Sequence, residues 1–496
     1  MYNLIIVGGG TGGMIAAAYA KKAHGKNVNV TVIFDHKNPN IGVGESLTPL
    51  IKNFMNDVGI TDNEMIREVG STVKIGLKFK NWLNDGNYYH HGFSAKILDP
   101  DPYSSTAAYD IANNIYDSVD SYSDVFYEEC KIPNPRLTTL ITNSYHIDSV
   151  RFTNFLINKY KNDITIIDDV VKDVIVENNN IQGVVLETNG KLTADFYIDA
   201  SGFASVLMKK MNVEWVDKSD WLPINKFIPC PVATNWEDKK LPPYTISEAT
   251  DNGWILQVPL QKRWGIGYLY CSKFTSDDEA VAKFTIWLKD NHNFDLTNPK
   301  CLSFKSGYWK DQWIGNCLAT GLASGFAEPL EATNIQHTIS QMKYFFLHFN
   351  YKVLEIDRVN YNLRQNHAYE NIYLFLRFCY DTKRTDSEFW KYMTNNVPDV
   401  IKQINERIEQ GGYIVNTNMK HYNSNFFNYQ NFTCVANGLN KFNKDKIMQV
   451  LNDKGITEMT KTLSDKLRRK KVNMNTTAID HYNYITSTLT VNGTVI

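Results

Sequence analysis

A doubly wound α/β fold, with a β-meander set into it and a helical C-terminal part, is the architecture this sequence predicts, on three observations. Residues 3–7 (Asn-Leu-Ile-Ile-Val) form a short apolar run that leads straight into Gly8-Gly9-Gly10-Thr11-Gly12-Gly13 and a small-residue stretch, Met14–Ala20. Between 164 and 202 lie short strand-like segments with turns rich in Asn, Gly and Lys. From about 335 onward apolar residues recur at helical spacing, as in Ile335, Ile339, Met342 and Phe346.

The first observation is the most specific. A continuous apolar run of this length marks a strand buried on both faces of a parallel sheet. Met14-Ile15-Ala16-Ala17-Ala18-Tyr19-Ala20 forms a good helix, and residues 28–34 give a second strand that ends on Asp35. In such a strand–loop–helix–strand unit Gly8 allows the tight turn, Gly10 lets backbone approach a pyrophosphate, and Gly13 lets helix and strand pack closely. Thr11 belongs to this loop, and the N-terminus of the helix that follows offers unpaired N–H groups to phosphate charge. Asp35 stands where a carboxylate reaches ribose hydroxyls. The unit predicts a dinucleotide site and does not separate FAD from NAD.

The second observation comprises Ile164–Ile167, Asp173–Glu177, Gly183–Glu187 and Phe196–Asp199, read as short strands of an inserted meander that returns to the core at Phe-Tyr-Ile-Asp-Ala-Ser-Gly202. The polar tail and the absence of any repeat or low-complexity linker predict domains that interleave rather than follow one another.

Composition narrows the class. The 496 residues are 43% apolar and 21% charged, with a formal net charge of -1, so no footprint for nucleic acid or an anionic membrane is present. The basic run Arg468-Arg469-Lys470-Lys471 reads as a solvated helix face. Seven scattered cysteines without a Cys-x-x-Cys pair argue against a disulfide framework or a zinc knuckle. No apolar run is long enough to span a bilayer, and no leader precedes the first strand, so a cytoplasmic location is expected and the sequons at Asn431, Asn475 and Asn492 carry little weight. The adjacent His90-His91 lacks ligand spacing, so no metal site is expected. His146 and Asp148 read as the start of an amphipathic helix.

Two further segments carry ionisable residues. In Ser71–Trp82, apolar Val73, Ile75, Leu77 and Phe79 alternate with Lys74, Lys78 and Lys80, which predicts one two-faced strand with all three lysines on its wet face. Glu331 stands just ahead of the helical run from Ile335, where a carboxylate partners the helix dipole and the N–H groups can hold an anion.

With these segments in order, the chain resembles flavin-dependent halogenases of the tryptophan-halogenase type. The matching motifs are the glycine loop, Ile41-Gly-Val-Gly-Glu-Ser-Leu-Thr-Pro49, the lysine strand, Tyr145-His-Ile-Asp148, Ile198-Asp-Ala-Ser-Gly202, Gly253-Trp-Ile-Leu-Gln-Val-Pro259, Gly321-Leu-Ala-Ser-Gly-Phe-Ala-Glu-Pro-Leu-Glu331 and Arg384-Thr-Asp-Ser-Glu-Phe-Trp390. The fit reaches about residue 440 and fades beyond it.

The resemblance implies an FAD-binding, glutathione-reductase-like domain over 1–50, 130–205 and 300–345. It implies a substrate-binding insert over 51–129 and 206–299, and a mainly helical region over 346–496. It adds Gly44, Glu45, Asp199, Gly202 and Gly321 to the cofactor-binding set of Gly8, Gly10, Thr11, Gly13 and Asp35. It implies that FADH2, supplied by a separate flavin reductase, turns oxygen and halide into hypohalous acid. Lys74 then relays the oxidant to an electron-rich aromatic of phenol or indole type, and Glu331 tunes it or takes the ring proton. The halide would rest near Thr333 and Asn334, and homo-oligomerisation is left open.

The sequence departs from the family in two motifs. Trp-x-Trp-x-Ile-Pro stands as Trp254-Ile-Leu256-Gln-Val258-Pro259, and Ser-Thr-Gly stands as Ala332-Thr333-Asn334, where Asn is expected to supply the positive φ. The first departure keeps an FAD-dependent aromatic monooxygenase as an alternative, and the second keeps a non-catalytic flavin-binding protein.

Overall fold

In the computed structural model the first strand, Tyr2–Val7, is paired on both sides and in parallel. One neighbour is Val28–Phe34, from Tyr2↔Val28 to Val7↔Ile33, and the other is Phe196–Asp199, from Leu4↔Phe196 to Val7↔Asp199. The six-stranded sheet runs Trp313–Ile314, Cys317–Ala319, Phe196–Asp199, Tyr2–Val7, Val28–Phe34, Thr165–Asp168. The described residues are all but 38–41, 94–99, 116–123, 135–142, 413–425, 492–493 and 496, so Ile41 and the sequon at Asn492 lie outside them.

The meander is smaller than expected. Val171–Glu177, Asn180–Leu186 and Lys191–Leu192 form a separate three-stranded sheet, whereas Thr165–Asp168 joins the parallel sheet beside Val28–Phe34. Ile181, Val184 and Leu186 of the meander pack with Ile5, Val7, Ile33 and Tyr197 of the parallel sheet in one core cluster. The helix Thr11–His24 buries every residue from Gly13 to Ala20, which explains its small side chains.

The chain divides into two compact units: Met1–Ser71 with Ile147–Asn225 and Ser303–Glu370, and Thr72–His146 with Lys226–Leu302 and Asn371–Ile496. Residues 51–71 and 346–370 thus fall with the dinucleotide-type sheet. The helices beyond 370 fall with the insert instead of forming a third body. Of the larger, seven-stranded sheet, the six strands that lie wholly in the second unit run Lys226–Ala233, Arg263–Tyr270, Gly253–Pro259, Tyr244–Thr250, Gly76–Lys80, Tyr88–Gly92. The C-terminal part is mainly helical, as expected, and includes Glu388–Asn395, Asp399–Glu409, Lys444–Asp453 and Thr457–Asn475. Arg468 and Arg469 are exposed on the last of these.

Candidate active site

In the first unit the glycine loop is shaped by close approach. Gly8 has φ 114, its N–H donates to Ile33 O at 2.8 Å, and a Cβ there would lie 2.1 Å from Ala200 O. A Cβ on Gly13 would lie 1.9 Å from Gly8 O, so strand and helix meet at a distance only glycine permits. No side chain caps the helix that begins at Thr11. Its first N–H groups are therefore oriented to receive an anion, and this cradle fits a dinucleotide pyrophosphate. Thr11 Oγ1 lies 3.3 Å from Thr153 Oγ1.

The other residues expected around the cofactor sit on loops and strand ends of the same unit. Asp35 follows the second strand and accepts the Lys37 N–H at 2.8 Å. Asp199 is buried and fully engaged: Oδ1 accepts from Ser201 N and Oγ at 3.1 and 2.6 Å, and Oδ2 from Leu207 N and Met208 N at 2.8 and 2.9 Å. It shapes the turn that carries Gly202, at φ 68. Gly321 has φ 59, and a Cβ there would lie 3.9 Å from Gly12 Cα. Gly44 has φ 121, and burial pushes the neighbouring Glu45 carboxyl up to about 7.

One residue that sequence reasoning passed over holds the Gly321 turn. Gln341 Oε1 accepts from Thr320 Oγ1 at 3.0 Å and Gly321 N at 3.3 Å, while its Nε2 donates to Gln312 Oε1 at 2.8 Å and Ser324 Oγ at 3.1 Å. Among the apolar residues of its helix it reads as one more core position. Its amide is recognisable only once these distant loops are seen around it.

Glu331 is buried at the end of a short turn, Pro329–Glu331, just before the helix Thr333–His348. The residue with positive φ is Ala332, at 59°, and not Asn334. Asn334 lies inside the helix and donates from Nδ2 to Ala327 O at 3.2 Å. The expectation that asparagine supplies the left-handed residue is thus corrected: the turn closes one residue before the helix. No side chain caps this helix, and the Thr333 hydroxyl is buried with no partner among the described residues. A hydroxyl donor beside uncapped N–H groups is an arrangement that can take a small anion.

Lys74 belongs to the second unit, and the expectation of a wet-face lysine fails there. It is wholly buried, with Nζ 5.0 Å from the centre of the Phe93 ring. The physical reason is that residues 72–80 are two strands rather than one. Thr72–Lys74 pairs antiparallel with Ser144–Ile147, with Lys74 opposite Ser144, whereas Gly76–Lys80 lies between Tyr244–Thr250 and Tyr88–Gly92 in the larger sheet. At the junction Ile75 N donates to Pro243 O at 2.8 Å, and a Cβ on Gly76 would meet Tyr127 Oη at 2.6 Å. The alternation restarts at this break. Lys78 and Lys80 keep the expected part-exposed positions, Lys80 pairing with Glu248 at 3.0 Å and Lys78 resting 3.5 Å from the Tyr88 ring centre.

Other candidates are structural. His90 stacks on Tyr127 at 4.1 Å, His91 Nε2 accepts from Asn431 Nδ2 at 3.0 Å, and no metal-competent cluster exists among the described residues. Asp148 caps its helix through Val150 N and Arg151 N, but His146 lies on the preceding strand. Aromatic side chains nearby that could stack on a substrate are also engaged in packing: part-buried Tyr89 stacks on Phe79, buried Phe432 packs on Phe375, and exposed Tyr88 donates from Oη to Glu128 at 2.8 Å. Arg384 grips Asp386 through two nitrogens at 2.9 and 2.7 Å, bonds Asn81 O at 3.1 Å, and lies 4.1 Å from the Trp390 ring centre.

Comparison with known proteins agrees with this geometry. The family model described as tryptophan halogenase matches residues 3–452. The chain is 28% identical over 481 residues to the tryptophan 6-halogenase ThaL of Streptomyces albogriseolus, covering 88% of this chain and 89% of that one. It is also 28% identical over 478 residues to the tryptophan 7-halogenase RebH of Lentzea aerocolonigenes, with the same coverage. Among solved structures, the tryptophan 6-halogenase SttH from Streptomyces toxytricini superposes with a TM-score of 0.85 at 23% identity, over 97% of this chain and 99% of that one. The tryptophan halogenase from Shewanella frigidimarina does so with 0.85 at 24%, over 98% and 97%. These matches favour neither the monooxygenase nor the non-catalytic reading, and the chain belongs to the tryptophan halogenase family, as a flavin-dependent halogenase.

Proposed function

We propose that the chain halogenates an electron-rich aromatic substrate of indole or phenol type, with Lys74 as the relay for the oxidised halogen and a separate reductase supplying FADH2. When bound, FADH2 with oxygen supplies the oxidation of halide to hypohalous acid. The chain's own residues do the rest. The Gly8–Gly13 loop and the uncapped helix at Thr11 hold the pyrophosphate, with Asp35 on the ribose. Gly44, Glu45, Gly202 and Gly321 line the cofactor, and Asp199 holds the Gly202 turn in shape. The Thr333 hydroxyl and the N–H groups of its helix hold the halide. Lys74 Nζ donates a hydrogen bond to hypohalous acid or carries the halogen, and Glu331 accepts the proton that the ring loses.

The observation that carries this reading is the burial of Lys74 on a strand whose pattern places it in water. Burying an ammonium is costly, so a folded chain retains one chiefly where its chemistry is used. Lys74→Ala is expected to lower halogenation by about 10³-fold while FAD binding persists. Lys74→Arg should not restore it, because a planar, permanently charged guanidinium cannot carry the halogen as an amine does. The assay uses FAD, NADH, a flavin reductase, bromide and a panel of indoles and phenols read by mass, with free hypohalite scavenged. Retention of wild-type halogenation by Lys74→Ala would remove the lysine from the mechanism.

A further inference from the structure

Residues 453–496 lie beyond the stretch that the family model matches, yet one side chain from this segment reaches the strand that carries Lys74. The segment is seated in three steps. Ile479 pairs with Ile132 in an antiparallel register, Asp480 caps the helix His481–Leu489 through Asn483 N at 2.7 Å, and His481 N donates to Cys130 O at 3.1 Å. The ring of His481 is then wholly buried. Its Nε2 lies 2.9 Å from Val73 N, and its Nδ1 lies 2.9 Å from Leu241 O. A backbone N–H only donates and a carbonyl only accepts, so Nε2 is the bare nitrogen and Nδ1 carries the proton. The partners themselves assign the neutral tautomer, and burial holds the ring's pKa down to about 4.

The neighbouring residue is held in the same manner from the other side. Thr72 Oγ1 donates to Pro259 O at 2.6 Å, so it accepts from His146 Nδ1 at 3.1 Å, and His146 Nε2 accepts from Thr245 Oγ1 at 3.0 Å. Residues 72 and 73 are therefore fixed by side-chain bonds in addition to the pairing with Ser144–Ile147. The strand is only three residues long and ends on Lys74, so it has little ladder of its own to hold it.

We infer that His481 is a positioning residue for Lys74: its bare Nε2 accepts the Val73 N–H and fixes the backbone from which the lysine projects. The inference rests on the reading of Lys74 as the relay. A displaced relay lets hypohalous acid escape before it reaches the aromatic substrate, so the effect belongs in the partition of the halogen rather than in the oxidation of FADH2. Partition is a ratio among folded, FAD-loaded molecules, so a loss of stability alone does not move it.

The test uses the full-length protein with FAD, NADH, a flavin reductase, bromide, an indole or phenol that it brominates, and a β-diketone that captures free hypobromite. His481→Ala should shift bromine from the aromatic to the β-diketone by about tenfold or more, with FADH2 oxidation unchanged. His481→Gln, which places an amide oxygen near the position of Nε2, should recover most of the wild-type partition. A wild-type partition in His481→Ala overturns the inference. So does an equal loss in both variants, because the acceptor would then not be what matters. Lys74→Ala in the same assay separates the two readings. If it leaves the partition unchanged, the relay itself falls. If it collapses the partition while His481→Ala does not, only the role of His481 falls.

Discussion

Gly13 and Gly202 are both glycines of the first unit, but they are needed for different reasons, and the difference predicts different costs. A Cβ on Gly13 would overlap Gly8 O at 1.9 Å, and both atoms belong to backbone that a core strand and a buried helix hold in place. Gly202 has φ 68 and nothing within 4 Å of an added Cβ. Gly13→Ala should therefore destabilise by about 3 kcal/mol or more and abolish FAD retention. Gly202→Ala should cost only about 1–2 kcal/mol, the price of a left-handed residue with a side chain. Thermal melts of the two apoproteins check this, and equal losses would refute the distinction. At this scale the glycine loop was legible because backbone sterics act locally in sequence. The role of His481 was not: its partner Val73 lies 408 positions away, and no periodicity carries that information.

Among the elements, apolar continuity predicted the buried parallel strands well: residues 3–7 and 28–34 lie within or coincide with Tyr2–Val7 and Val28–Phe34. Alternation misled at 72–80, because a period-two pattern describes a single sheet and this segment changes sheets at Ile75. Thr165–Asp168 was likewise grouped with its sequence neighbours, although its pairing is with Val28–Phe34. In both cases strand existence was visible and strand partnership was not. The helix Thr333–His348 shows what partnership adds. It supplies Gln341, whose amide bonds four groups on two loops and thereby fixes the Gly321 turn. Gln341→Leu keeps helix propensity and most of the volume but leaves buried donors and acceptors without partners. It should cost about 2–4 kcal/mol and weaken FAD binding, whereas Gln341→Glu should retain the bonds to Thr320 and Gly321. Calorimetric melts with and without FAD check the order of the variants, and a Leu variant as stable as wild type would show that the network contributes nothing.

For the whole molecule, the buried titratable groups predict that acid weakens the two units unequally. His481 is held down to about 4 by burial, and His146 is held low by burial and then by the neighbouring Lys74. Both lie in the second unit. In an unfolded chain each would bind a proton near 6.5, so the stability present above that pH is lost as pH falls towards the folded values. The first unit holds His337, also at about 4, but it also holds Glu45, which burial pushes up to about 7. The sign for Glu45 is opposite: its contribution is present below the unfolded value of 4.5 and is lost as pH rises through 7. Between pH 6.5 and 4.5 His337 of the first unit is opposed by Glu45 and by Asp199, whose carboxyl burial also raises, whereas the two groups of the second unit act together. One further histidine is lowered in each, His24 in the first and His292 in the second, and these two offset in the comparison. Each uncompensated proton is worth about 1.4 kcal/mol per pH unit, so the second unit should lose up to about 3 kcal/mol per pH unit more than the first. Hydrogen exchange, corrected for intrinsic rates, should show protection falling first across Thr72–Lys74 and Ser144–Ile147, with Tyr2–Val7 little changed. His481→Gln should roughly halve that excess slope, because one of the two cooperating groups no longer titrates. Equal loss of protection in both units would mean that these histidines do not govern the acid response.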